Sequence, residues 1–317
     1  MIVVDERAPD APLRLGYGTF FDSPAWNQLI AETHGHPDRT RMYKFDDGCE
    51  ARLPLSELPR RWRIVREFIS TVHGYGGPVG DDLVRHPWHV REIARDLAAD
   101  CRRGTVFHLV EDPTPALVDG ETPLLRVLLE AGLASDRFLG FSHVLPLDPD
   151  FDAVWRLRFD KKARNQYRKA VESGVQVRTS RRTEDLQAFY RLYESSAQRW
   201  DLAEPPFPLS FYERMCDLAA GQLTIWLAED PEGRPIAASL CLYQAGHAFL
   251  WASALDKAAA RLRPNDLLYG EMIRDACQRG CRVFDFGSGE GLASVQAFKE
   301  QFGAQRVDVT HHLVGHP

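Results

Sequence analysis

The chain has 317 residues, 44% hydrophobic and 26% charged, enough for one large or two medium globular domains with ample core. Its net charge of −6 supplies no general field for nucleic acid, and no apolar run approaches the roughly 18 residues of a membrane span. Asp5, Glu6 and Arg7 follow the first four residues at once, unlike a signal peptide, so a cytoplasmic protein is expected.

Six scattered cysteines form no CxxC pair, and His311, His312 and His316 have no acidic or cysteine ligand at a familiar spacing. Reduced thiols and no metal are therefore expected.

In chain order, Ser23-Pro24 reads as an N-cap followed by a first-turn proline, opening a helix through Trp26, Leu29 and Ile30. Strands are expected at 40–45 and 49–55, joined by the hairpin signal Asp46-Asp47-Gly48. A basic helix at 57–72 then leads into Gly74-Tyr75-Gly76-Gly77-Pro78-Val79-Gly80-Asp81. The first half closes with a helix at 87–101, a strand at 105–110, a helix at 123–131 stopped by Gly132, and a strand at 138–147.

The second half opens with a helix at 161–172. Lys161, Lys162, Arg164, Arg168 and Lys169 put five cations in nine residues there, on a net acidic chain. That run reads either as a solvated face or as a phosphate-binding patch. A strand at 175–179, a helix capped by Thr183 and a short helix after a proline-rich loop lead to three strands at 222–229, 236–243 and 247–254. Helix 264–279, strand 282–286, a short helix after the glycine turn and strand 305–314 complete the chain.

Both halves thus end helix–strand–helix–strand, which predicts two copies of one unit, at 1–150 and 151–317. The last helix carries the most informative residue. At 100° per residue Leu292, Val295, Phe298 and Phe302 form a core-facing stripe, and Lys299 falls inside it. A lysine there either snorkels, its stem covering apolar surface and its ammonium in water, or aims a fixed cation into a cleft. With six lysines against 33 arginines, this position takes the rarer cation. Aligned on Gly132 and Gly303, the first half has Leu128 at the matching position, which suggests one active centre. The Gly287-Ser288-Gly289-Glu290-Gly291 turn looks like a dinucleotide or S-adenosylmethionine loop, but too few residues follow it to build such a sheet.

An antiparallel meander followed by helix–strand–helix–strand is the order of the GNAT acyltransferase fold, and two such units in tandem resemble the FemAB family. Three stretches carry the likeness: Arg164-Asn165 through Arg168-Lys169 to Gly174-Val175; Gly77-Pro78-Val79-Gly80-Asp81; and Phe284-Asp285-Phe286-Gly287 with Phe298-Lys299 and Phe302-Gly303. The long helical hairpin that some family members use as a tRNA-contacting arm has no counterpart. The resemblance implies an α/β fold of two GNAT-like units with mixed sheets flanked by helices. It implies transfer of an aminoacyl group from aminoacyl-tRNA to an amine, a peptidoglycan precursor or a peptide-like metabolite, without a bound cofactor.

By the same resemblance, Lys299 stabilises the oxyanion and the departing tRNA oxygen, Asp81 lies near the incoming amine, and Arg164, Asn165 and Arg168 hold acceptor phosphate or carboxylate groups. Tyr75, Trp251, Ser253, Tyr269 and Asp285 complete the expected substrate site. Ester aminolysis passes through a tetrahedral oxyanion, which a cation in a water-poor cleft stabilises by several kcal/mol. Burial threatens that cation's proton, and Asp285 and Glu300 are candidates to keep it charged. Acyl-coenzyme A is the alternative donor. It is disfavoured because the junction Arg261-Leu262-Arg263-Pro264-Asn265-Asp266 has no glycine to bind pyrophosphate, and proline removes an N–H, although Arg261 and Arg263 can compensate.

Overall fold

The computed structural model describes residues 3–5, 18–59, 65–80, 83, 87–119, 134–199, 204–288 and 292–315. Two compact units divide the chain, one of residues 1–141 and 307–317, the other of residues 142–306. The chain has a mixed α/β fold, and the second unit is organised on a large mixed sheet flanked by helices.

In chain order the elements up to the division are β1 (Val3–Asp5), α1 (Pro24–His34), β2 (Arg41–Lys44), β3 (Glu50–Leu53), β4 (Ser56–Glu57), β5 (Arg66–Ile69), β6 (Val79–Gly80), α2 (Pro87–Cys101), β7 (Thr105–Val110), α3 (Thr114–Asp119) and β8 (Ala134–Pro146). The expected cap is present: Ser23 Oγ accepts from Trp26 N, and Pro24 opens α1. The hairpin also forms, with β2 and β3 antiparallel in the register Lys44↔Glu50.

Of residues 57–72, the described ones, 57–59 and 65–72, do not form the expected helix. β4 and β5 pair there as antiparallel strands, and β5 runs parallel to β7 with Phe68 opposite Phe107. Those two rings stack with centroids 5.4 Å apart in the core. Burial against a distant strand outweighs the local helical pattern. The expected helix at 123–131, with Leu128 and Gly132, lies outside the described residues.

Further along come α4 (Phe151–Leu157), α5 (Lys161–Glu172), β9 (Gln176–Ser180), α6 (Thr183–Arg199), α7 (Leu209–Leu218), β10 (Leu223–Glu229), β11 (Pro235–Gln244), β12 (His247–Leu255), α8 (Pro264–Gln278), β13 (Val283–Asp285), α9 (Ala293–Glu300) and β14 (Gln305–Val314). In the second unit the strand order is β8-β13-β12-β11-β10-β9, with β12 and β13 parallel and their neighbours antiparallel. β10 and β11 are buried along most of their length instead of alternating. α5 and α8 pack together, and both α8 and α6 pack on these strands, so β10 and β11 are covered on both faces.

Each unit has one parallel pair joined through a helix, β5–α2–β7 and β12–α8–β13, and each pair is flanked by a strand from the other half of the sequence. β14, expected within 151–317, pairs with β7 through His311↔Val110 to Val314↔Phe107. The end of β8 pairs with β13 through Val283↔Pro146 to Asp285↔Val144.

α5 and α8 approach closely because Gly270 has no side chain. A Cβ there would lie 2.7 Å from the Tyr167 ring, whose hydroxyl donates to Glu271 and accepts from Arg274. Gly270→Ala is therefore expected to cost about 1–3 kcal/mol, read as a lower melting temperature by calorimetry.

Candidate functional site

The parallel register of β12 and β13 ends at Phe249↔Asp285, whereas β12 continues to Leu255. A cavity of about 560 Å³ is lined by that continuation past β13, Leu250 to Leu255, and lies beyond the carboxyl end of β13, where open α/β sheets commonly bind ligands. α8 contributes Pro264, Asn265, Asp266 and Tyr269 to the wall, and α9 contributes Ser294, Val295, Phe298 and Lys299.

Lys299 is the buried residue of α9, 5% exposed, whereas Leu292 at its start is 48% exposed. The expected stripe is thus corrected: Leu292 leaves the core, Val295 and Phe298 are half-buried, Phe302 is fully buried as expected, and within α9 itself the lysine is the buried residue. Snorkelling does not describe this side chain. Its Nζ donates to Gly287 O and Ser288 O, each at 2.8 Å, so two of its three N–H donors are used on carbonyls of the glycine turn. Among the described residues no acceptor takes the third, and the residue lines the cavity.

Asp285 builds that turn. Fully buried, it accepts through Oδ1 from Ser142 Oγ at 2.6 Å and from Gly287 N at 2.7 Å, while His247 Nε2 lies 3.7 Å from Oδ2. Gly287 has a φ of +69°, a conformation L side chains rarely adopt, which explains a glycine immediately after the strand. Burial lowers the Lys299 pKa to about 8, and the Asp285 charge opposes that fall. Glu300, the other expected partner, is exposed and lies 3.8 Å from His143 Nε2.

Trp251, Ser253 and Tyr269, all expected site residues, line the same cavity. Ser253 Oγ accepts from Ser239 Oγ at 2.9 Å. Burial pushes the Tyr269 hydroxyl up to about 12, with a hydrogen bond to Ser253 opposing it, so Tyr269 stays a neutral phenol. Phe286 and Phe298 close on the Tyr269 ring at 5.9 and 5.3 Å, so aromatic rings stand on the wall beside Lys299, Arg263 and several hydroxyls.

Arg164, Asn165 and Arg168 are not among the residues lining this cavity. Arg164 Nη1 donates to the carbonyls of Trp155, Arg156 and Phe159, covering the C-terminal end of α4. Arg164→Ala is accordingly expected to cost about 1–2 kcal/mol, measured as a fall in melting temperature. Asn165 and Arg168 are exposed, with Arg168 Nη1 donating to Asn165 Oδ1 and its guanidinium 5.8 Å from the Trp155 ring centre. Tyr75 belongs to the first unit, where it is buried edge-on to Phe21. Asp81 lies outside the described residues.

Asn265 and Asp266 were not expected as site residues. The signal was present, because α8 starts at the cavity with two polar side chains directly after Pro264, but the pattern is equally that of an ordinary helix start.

The acetyltransferase (GNAT) domain family matches residues 158–300. Along nearly its whole length the chain is also similar to the crystal structure of FemX, at 13% identity, with a TM-score of 0.73 over 94% of this chain and 93% of that one. Residues 158–300 thus carry a GNAT domain, and the whole chain shares its fold with FemX. It is similar too to the C-terminal domain of a lysylphosphatidylglycerol synthetase from Agrobacterium fabrum, at 14% identity, covering 93% and 88% with a TM-score of 0.57. L-PGS from Bacillus licheniformis matches at 15% identity, 92% of each chain and a TM-score of 0.55. No curated protein matches the chain in sequence. Among the described residues no helix is long and apolar enough to cross a membrane.

Proposed function

We propose that the chain transfers an aminoacyl group from aminoacyl-tRNA to an amine acceptor, forming an amide, with the cavity around Lys299 as the acyl-transfer site. One observation carries the reading: a lysine ammonium buried at a cavity wall, held by two carbonyls, with one N–H left over. Attack by the amine nitrogen on the ester carbonyl makes a C–N bond and puts negative charge on the carbonyl oxygen. The remaining N–H of Lys299 meets that charge, and the ribose oxygen leaves with a proton as the C–O bond breaks. A preorganised cation in a dry cavity stabilises this intermediate far more than it does the neutral ester.

The start of α8 favours an ester over a coenzyme A thioester. Arg263-Pro264 holds no glycine, and Pro264 at the first helical position presents no N–H for a pyrophosphate. The exposed Asn165 and Arg168 are proposed to contact acceptor phosphate or carboxylate groups, with Arg164 fixing the helix that carries them. Asp81 is proposed to stand near the incoming amine. The FemAB resemblance supports an acceptor of the peptidoglycan-precursor or peptide-like class, reached inside the cell.

The test is to incubate the protein with a pool of charged tRNAs and candidate amine acceptors. Acceptor-dependent discharge of one tRNA species is expected. Release of free thiol from acyl-coenzyme A, with every charged tRNA left intact, would replace this donor by a thioester.

A further inference from the structure

The corner of the cavity at the start of α8 is rich in hydrogen-bond acceptors and short of donors. Asn265 and Asp266 both line the cavity, and Asp266 is 6% exposed. Gln301, 5% exposed, stands beside them and donates from Nε2 to Asp266 Oδ1 at 3.3 Å. Two buried oxygens of this group, Asn265 Oδ1 and Gln301 Oε1, have no donor among the described residues. Each buried acceptor left without a donor costs about 1–3 kcal/mol, and a largely desolvated carboxylate costs more.

The nearest cations do not settle this deficit. Arg263, exposed at the cavity rim, and Lys162, exposed on α5, act on Asp266 through space, and the side-chain hydrogen bond that Asp266 accepts comes from the neutral Gln301. What completes the corner is a group with several N–H donors and a positive charge.

We infer that the corner formed by Asn265, Asp266 and Gln301 binds a primary ammonium group of a substrate. An ammonium supplies three donors on one atom, and its bond to a carboxylate is charge-assisted and about twice as strong as a neutral one. A simple acyl chain or a hydroxyl supplies neither. The inference rests on the cavity being the acyl-transfer site, and it names a chemistry that the substrates on either side of the reaction possess. The α-ammonium of an aminoacyl donor lies next to the carbonyl that Lys299 serves, and the acceptor brings an amine of its own.

Asp266→Asn separates these cases, because it keeps the shape and removes a buried charge, so the fold is retained. With the charged tRNA and acceptor found by the discharge assay, the variant is expected to raise the KM of the ammonium-bearing substrate about tenfold or more. A raised donor KM, matched by the loss of wild-type activity toward a donor acetylated on its α-amine, assigns the corner to the donor. A raised acceptor KM, with the acetylated donor still used, assigns it to the acceptor. Both KM values within twofold of wild type overturn the inference and leave the transferase reading standing. If wild-type protein discharges no charged tRNA, that reading fails, and the corner is probed directly with alaninamide and N-acetylalaninamide by NMR titration. Shifts produced by alaninamide alone, and lost in Asp266→Asn, still support an ammonium site; equal shifts or none overturn it.

Discussion

Lys299→Met is expected to cut kcat by roughly 10²- to 10³-fold at saturating donor, the usual cost of losing one charged stabiliser of an oxyanion. Met keeps the length and the apolar stem, so the packing of α9 is preserved. What disappears is the ammonium that Gly287 and Ser288 hold at the cavity wall. Folding is expected to be unharmed or improved, since a charge only 5% exposed is costly to desolvate.

Stability and rate should respond to pH in opposite directions. The lysine pKa is lowered from its ordinary value of 10.5 to about 8 by burial. Between those values the unfolded chain binds the proton that the folded chain has released, so stability rises with pH across that window. The transfer rate falls as pH rises through about 8, because the catalytic cation is lost. Both slopes should vanish in the Met variant. Lys299→Arg should not restore full rate, because a planar guanidinium cannot replace a compact ammonium between two carbonyls. A Met variant within a few-fold of wild type would remove the ammonium from the chemistry.

Asp285→Asn is the second large effect expected. The carboxylate accepts from Ser142 Oγ and Gly287 N, which sets the turn whose carbonyls grip Lys299, and its charge holds the lysine pKa up. Without it the pKa of Lys299 falls below about 8, and the alkaline limb of the rate profile moves to lower pH. One unit of further shift would reduce the charged fraction near pH 8 about fivefold, from about a half to about a tenth. An amide that presents a donor where an acceptor is needed costs a further 1–3 kcal/mol or so of stability. An alkaline limb at its wild-type position in a folded Asn variant would separate Asp285 from the electrostatics of Lys299.

Much of the second half of the sequence was legible residue by residue. α5 and β14 begin and end where the pattern of polar and apolar residues places them, and Lys299 declared itself as a rare lysine on an apolar stripe. Trp251, Ser253 and Tyr269, named from the resemblance, line the cavity that Lys299 also lines. What the pattern could not carry was long-range pairing. β5 looks helical in isolation and becomes a strand because Phe68 meets Phe107, and the exchange of β8 and β14 is a choice between partners far apart in the chain. Leu292 illustrates another limit, since periodicity cannot tell that it precedes the first turn of α9 and so turns to solvent. Arg164 is a third case: a basic run shows charge, but not that one guanidinium is consumed by the carbonyls ending α4.

The account stands on the charge of Lys299 meeting negative charge in the cavity, and titration of its Nζ tests that most directly. With six lysines in the chain, selective labelling and the Lys299→Met variant give an assigned NMR signal. The titration is run on free protein and on protein saturated with a phosphonate analogue of the tetrahedral intermediate. The expected result is a pKa of about 8 in the free protein, raised when the anionic analogue binds beside it. A lysine titrating near its ordinary value of 10.5 and indifferent to the bound analogue would contradict the account.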